Sequence, residues 1–368
     1  MPERAERRIE EWVIRDSRRG AEMDKVVIAS LRKSAGKTSA VVGISAALNK
    51  KIAYLKPFGE RIVYHNKRLW DYDAALISDI FALREDPVDM SIGFDHSKLR
   101  YTYNKEGTQQ KLLQAIANIG RDKGVLFIEA GSDLAYGSSV HLDALSLAKY
   151  TGSKLWIIVS GGEDSILDDM VHLKNHLETA GVAFGGIIIN KVQDFDQFQS
   201  THLPIINHFG IRVMGVIPYR SELSCFSVQH LANSLYARII TGEGGLKKIV
   251  KNIVIGAWSA QVFMQDPLFK KSNKLVITGG DRADMILASL ESDTSGIILT
   301  NNILPPSNII YKAEERNIPL LMVSTDTYQT ARQIENLEPL MTKDDVEKIE
   351  LLKQLFEKYV NADGVLSD

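Results

Sequence analysis

The chain holds a single cysteine, Cys225, among 368 residues. That scarcity excludes an intrachain disulfide framework and a cysteine-rich zinc site, and it fits a reducing cytoplasm. There is no excess of positive charge, because 44 Lys and Arg stand against 46 Asp and Glu. The broad cationic field behind non-specific binding to a phosphate backbone is therefore missing, and no nucleic-acid partner is expected. No apolar run reaches the roughly 20 residues that a bilayer requires, so no membrane anchoring is expected. Residues 1–23, charged on most faces, read as a solvated helix or arm rather than a secretory signal. The eight histidines are scattered; His172 and His176 share a helical spacing but lack the glutamate of a zincin motif. No Gly-x-Ser-x-Gly elbow and no Cys/His arrangement argues for covalent catalysis.

What is abundant is short apolar runs. With 45% hydrophobic residues, the chain is long enough for two cores, since single cores stop growing before about 250 to 300 residues. Six runs, at 25–30, 51–57, 124–131, 154–162, 184–191 and 211–218, alternate with segments of helical period. This is the pattern of β/α units around a parallel sheet covered by helices on both faces. The stretch "TGEGGLKK" (241–248) interrupts it with three glycines and predicts a domain boundary. Smaller units then follow, with runs at 251–258, 273–280, 295–302 and 318–325. The expected division is an arm at 1–23, a parallel-sheet α/β domain at 24–240, a smaller α/β domain at 249–337, and a C-terminal helix and tail at 338–368. In that last segment Thr342 opens a capped amphipathic helix.

The first run leads into "LRKSAGKTS", then into "AVVGISAALNK", whose small and apolar residues suit a helix packed on a sheet. In this strand, turn and helix context the loop from Lys33 through Ser34, Ala35, Gly36, Lys37 and Thr38 to Ser39 is a candidate phosphate cradle. Gly36 lets the backbone approach a phosphate, Lys37 reaches the β and γ phosphates, and Thr38 is placed to ligate Mg²⁺. The strict Gly-x-x-x-x-Gly-Lys-[Ser/Thr] pattern fails, because Leu31 stands where its first glycine belongs.

That departure resembles the variant loop of the dethiobiotin synthetase family, whose first glycine lies one residue upstream, at the position of Ser30. Other elements follow in that family's order: "YLKPFG" (54–59), "LFIEAG" (126–131), "GGIIINK" (185–191) and "VMGVIPY" (213–219). The resemblance implies a P-loop NTPase-like fold that binds ATP and Mg²⁺. Ligands of open parallel sheets lie outside the carboxyl ends of the strands. Lys56, Glu129, Asn190 and Pro218 then line one crevice with Lys37, Asn190 meeting the adenine by the family's pattern. Lys37, Lys56 and Glu129 are the catalytic candidates, Glu129 either holding Mg²⁺ or orienting a substrate. The resemblance also implies an acidic metal ligand from "RLWDYDAALIS" (68–78), and Asp73 is chosen over Asp71, although both suit a helix cap and first turn. The metal set is Thr38, Asp73 and Glu129. The Gly/Ser-rich loop after residue 130 could bind a second anion or simply connect two elements.

Beyond residue 248 the chain resembles the domain named DRTGG, with Gly280, Asp281 and Arg282 in its characteristic turn. Asp281 and Arg282 could pair, bind a small ligand, or serve as a turn and cap. The family's later Gly-Gly is Asn301 and Asn302 here, which predicts a lost close approach. The combination resembles the N-terminal regulatory half of long-form phosphate acetyltransferases and implies a homodimer. Only a helix and tail follow residue 337, so acetyl transfer is not expected of this sequence. The expected function is an ATP- and Mg²⁺-binding regulator or sensor acting with a partner enzyme. The alternatives are an ATP-dependent ligase for a small carboxylate or amine, or an ATPase, and a scaffold that binds no nucleotide. Arg32 and Lys33 put two cations where such ligases carry acidic and small polar residues, which disfavours the ligase.

Overall fold

A computed structural model describes residues 23–48, 50–65, 67–256, 264–265 and 267–360; the side chains of 176–180 are outside that description. The expected arm at 1–23 therefore lies almost wholly outside the described residues, as does the tail after Val360. The chain forms two compact units, one running to Tyr219 and resuming at Met341, the other spanning Arg220–Leu340.

The first unit is built on six parallel strands in the order β2-β5-β1-β6-β7-β8. They are β1 (Asp24–Ser30), β2 (Ile52–Leu55), β5 (Val125–Glu129), β6 (Lys154–Val159), β7 (Phe184–Val192) and β8 (Val213–Pro218). These are the six apolar runs, buried almost throughout because helices cover both faces. A hairpin that the sequence analysis did not anticipate, β3 (Ile62–His65) with β4 (Arg68–Asp71), interrupts the alternation after β2. β1 lies between β5 and β6, where the winding direction reverses, so the strand ends around it open onto a crevice.

The helix Lys37–Ala47 is apolar nearly all round, a pattern that only burial on both sides stabilises. Its outer cover is the helix Val346–Tyr359, which belongs to this unit rather than forming a separate C-terminal piece. The ring of Phe356 lies where a Cβ on Gly43 would sit, 2.2 Å from it, so glycine admits the aromatic ring. That helix begins at Val346 behind Asp345; Thr342 stands upstream and bonds the Asp345 carboxylate instead of capping.

The second unit carries β10 (Arg238–Thr241), β12 (Asn252–Ile255), β13 (Lys274–Gly279), β14 (Thr294–Thr300) and β15 (Leu320–Met322) in the order β10-β15-β14-β13-β12. Only β10 runs antiparallel. β9 (Phe226–Ser227) and β11 (Ile249–Val250) form a small separate pair. Apolar clusters cover the two faces of the larger sheet.

The division at Arg220 corrects the boundary expected at 241–248. β10 is hydrogen-bonded into the second sheet, and the glycines that follow make a packed turn, not a linker. Gly242 has φ of 76°, and a Cβ there would lie 2.5 Å from the Ile318 backbone. The Glu314 carboxylate holds the turn by accepting from the Gly242 amide at 2.8 Å and from the Thr241 hydroxyl.

Candidate functional site

The crevice begins where β1 ends. Gly36 precedes the helix Lys37–Ala47 with φ of 100°, a left-handed conformation that glycine reaches without strain. A side chain would also have no room, because a Cβ at Gly36 would sit 2.4 Å from the Asn190 amide nitrogen. The turn aims Lys37 back across the strand end. Its ammonium donates to the Ser30 hydroxyl at 3.0 Å and to the Ser132 carbonyl at 3.4 Å. Burial is the main reason that its pKa falls below the ordinary lysine value; the Lys56 charge adds to the fall and Glu129 opposes it.

Beside it lies a buried charge network. Thr38 donates its hydroxyl to Glu129 Oε1 at 3.0 Å, and Lys56 donates to the same oxygen at 3.3 Å. Lys56 also donates to Asp73, and its ammonium stands 4.0 Å from Glu60. Arg61 reaches the other Asp73 oxygen at 3.3 Å. The Tyr54 hydroxyl donates to Glu129 Oε2 at 2.9 Å. Tyr54, Lys56, Asp73 and Glu129 are each 3% exposed or less. Burial disfavours the Lys56 ammonium, yet Glu129 and Asp73 outweigh it and hold the pKa above the usual lysine range. Burial likewise opposes the Asp73 carboxylate, and Lys56 and Arg61 reverse that, leaving its pKa low.

Asp71 takes the structural half of the acidic pair. It is the N-cap of the helix Tyr72–Phe81, one oxygen accepting from the Asp73 and Ala74 amides and the other from Glu60 and Arg61. Its burial nevertheless pushes it up to about 6.

Of the sequence candidates, the structure thus brings Thr38, Lys56, Asp73 and Glu129 into one network and sets Lys37 beside it. Asn190 lies under the loop: its amide donates to the Ala35 carbonyl at 3.0 Å and its Oδ1 accepts from the Lys191 amide. Its side chain is thereby engaged with the loop backbone. Pro218 closes β8 opposite Val192. Ser34 is left-handed and, with Lys33, exposed on the loop; Ala35 is buried and Ser39 is half-buried in the first helical turn.

Arg32 turns sideways, into a two-bond pair with Asp169 at 2.8 and 3.0 Å. The loop after β5 is braced by its own carboxylates. Asp133 already accepts from the Ala135 and Tyr136 amides, and Asp143 caps the next helix with its own negative charge. His172 is exposed, and the side chain of His176 is outside the described residues.

Sequence reasoning missed Tyr54, Arg61, Ser132 and Lys191, the last of which donates to the Ser34 carbonyl at 2.7 Å. Two signals were available. Tyr54 is the one polar-tipped residue in the apolar strand before Lys56 and, two residues away, lies on the same face. Lys191 is a cation directly after a strand-end asparagine.

At the strand ends of the second unit, Arg282 bonds Asp284 at 3.4 Å. Asn301 and Asn302 take φ of 60° and 54° and donate to the Thr325 and Val323 carbonyls. Both asparagines thus hold a left-handed turn, a region that asparagine tolerates.

A six-stranded parallel sheet whose first strand ends in a Gly-Lys-Thr turn, with a carboxylate from the neighbouring strand on the threonine, defines a P-loop α/β fold. The chain belongs to the AAA domain family, whose model matches residues 24–225. The DRTGG domain matches residues 230–337. Among curated relatives, the phosphate acetyltransferase of Pseudomonas putida is 29% identical, over 70% of this chain and 40% of that protein. The phosphate acetyltransferase of Synechocystis sp. is 23% identical, over 92% of this chain and 51% of its own length. The chain thus spans about half or less of these relatives and resembles their regulatory half. A solved structure of the CBS and DRTGG domains of Clostridium perfringens pyrophosphatase, complexed with diadenosine tetraphosphate, is 24% identical over 36% of this chain and 60% of its own. Its TM-score of 0.28 is too low to build on. Among the described residues, no helix is long and apolar enough to cross a membrane.

Proposed function

We propose that the first unit binds ATP with Mg²⁺ at the β1 strand end and that the protein works as a nucleotide-responsive regulator of a partner enzyme. The Gly36–Lys37–Thr38 turn supplies backbone amides and a buried cation to a triphosphate. Among the described residues, no three or more His, Cys, Asp or Glu cluster as a metal site. The Thr38 hydroxyl and the adjacent Glu129 carboxylate are a donor pair that fits Mg²⁺, which is commonly held by one or two carboxylates together with substrate phosphates and water. Thr38 and Glu129 would hold the ion, and Asp73 anchors Lys56 beside it. Once bound, Mg²⁺ would neutralise phosphate charge.

The observation that favours a regulator over a ligase is the state of Lys56. Its ammonium already meets both Asp73 and Glu129, so little positive charge is left for a substrate carboxylate. Arg32, committed to Asp169, adds none. The ligase reading keeps one support, since phosphoryl transfer needs mainly positioning and charge neutralisation, which the crevice offers. A homodimer, a cytoplasmic setting and the second unit as the relay to the partner complete the proposal.

Calorimetric titration with ATP, ADP and a non-hydrolysable ATP, with and without Mg²⁺, followed by phosphate-release measurement on the same sample, tests it. Mg²⁺-dependent binding with negligible turnover is expected. Steady turnover would favour the ligase or an ATPase, and no binding would leave a scaffold.

A further inference from the structure

We infer that Tyr54 is a positioning residue: it fixes which oxygen of Glu129 faces Thr38 and thereby sets the affinity of the nucleotide-bound chain for Mg²⁺. The inference rests on the proposed Mg²⁺–nucleotide site and adds to it a residue that touches neither nucleotide nor metal.

The two oxygens of Glu129 have separate partners. Oε1 accepts from Thr38 at 3.0 Å and Lys56 at 3.3 Å, and Oε2 accepts from the Tyr54 hydroxyl at 2.9 Å. The torsion that turns a glutamate carboxylate is broad and roughly two-fold, so partners on both edges are needed to hold one orientation. Tyr54 is 1% exposed in a strand that is otherwise aliphatic, Ile52–Leu55. Phenylalanine would fill the same volume, so packing does not require the hydroxyl. A donor to Oε2 does, because a buried carboxylate oxygen left without one is costly. Groups that orient a metal ligand commonly alter metal affinity by about 10- to 100-fold when removed.

The test compares the full chain with Tyr54→Phe and Glu129→Gln by calorimetric titration of ATP in EDTA and over a series of Mg²⁺ concentrations. For Tyr54→Phe, ATP affinity in EDTA should stay within about twofold of the parent. The Mg²⁺ concentration giving half of the affinity enhancement should rise about tenfold. Glu129→Gln should lose the enhancement altogether. Binding in EDTA serves as the check that the variant site is folded. If Tyr54→Phe keeps the parent's Mg²⁺ dependence, or loses binding equally with and without Mg²⁺, Tyr54 does not position Glu129. If the parent itself shows no Mg²⁺-dependent binding, the proposed site fails first and the role of Tyr54 fails with it.

Discussion

The two units place parallel strand ends in contrasting chemical settings. In the first, two lysines and three carboxylates are buried together around β1 and β5: Lys37, Lys56, Asp71, Asp73 and Glu129. In the second, the buried polar groups near the ends of β13 and β14 are hydroxyls, such as Thr278 and Thr300. Its buried charge among the described residues is Lys274, at the start of β13, where the ammonium meets the Lys271 and Asp293 carbonyls and lies 4.8 Å from the Phe269 ring. Buried ions are costly unless paired and hydrogen-bonded, so such a concentration is seldom kept for stability alone. The first unit holds a site prepared for charge; the second holds a lysine that completes a fold.

Substitutions should separate the two settings. The largest effect is expected from Lys56→Ala, which strands Asp73 and Glu129 without their shared cation and should destabilise the first unit by about 3–5 kcal/mol, read from urea unfolding. Next, Lys37→Ala should weaken ATP binding by about a hundredfold in calorimetric titration, since it removes a buried charge from the phosphate side. Lys312→Ala, in the second unit, should leave ATP binding unchanged. Equal affinities for Lys37→Ala and the parent would remove the phosphate loop from the comparison.

Asp71 gives the contrast a pH signature. Its folded pKa, raised to about 6 by burial, exceeds the ordinary aspartate value, so the folded chain holds that proton more tightly than the unfolded one. Its stabilising contribution is therefore full below about pH 4 and is lost as pH rises to about 6, by on the order of 2 kcal/mol. Asp73, with a lowered pKa, acts in the opposite sense, its contribution being lost as pH falls below the usual aspartate range. Asp71→Asn should flatten the decline between about pH 4 and 6 in a series of urea midpoints. In the second unit, Lys274→Met should cost about 1 kcal/mol or less, because it exchanges one ammonium on two carbonyls for apolar packing. A cost equal to that of Lys56→Ala would erase the distinction between the units. The smallest effect belongs to Arg32→Ala, whose side chain is 50% exposed and whose pair with Asp169 should contribute less than about 1 kcal/mol in thermal unfolding. Burial, and not charge by itself, would then account for the ranking.

Legibility in the sequence followed the range of the contact. Gly36, Lys37 and Thr38 are adjacent, so a strand, a turn and a helix start sufficed to single them out. Lys56 and Glu129 each end an apolar run, and a parallel sheet gathers such ends on one side. The split of duties between Asp71 and Asp73 was not legible, because both fit a cap. Four backbone amides, two of them from the loop before the hairpin, assign Asp71 to it. Asn190 was legible as a strand-end residue, but its engagement with the Ala35 carbonyl depends on a neighbour 155 positions away. The glycines at 242–245 looked like a linker because composition cannot distinguish a flexible turn from one pressed against Ile318.

By itself, then, the sequence determined the β/α alternation, the six buried strands, the phosphate-loop turn and the presence of a second α/β unit, all set by local periodicity and backbone preference. The tertiary structure alone decided that β10 joins the second sheet and that the helix Val346–Tyr359 returns to cover Lys37–Ala47. It also decided that Tyr54, Lys56, Asp73 and Glu129 share one buried network. Those outcomes depend on which distant surfaces exclude water together and which buried charges find partners, and neither is written in any short stretch of chain.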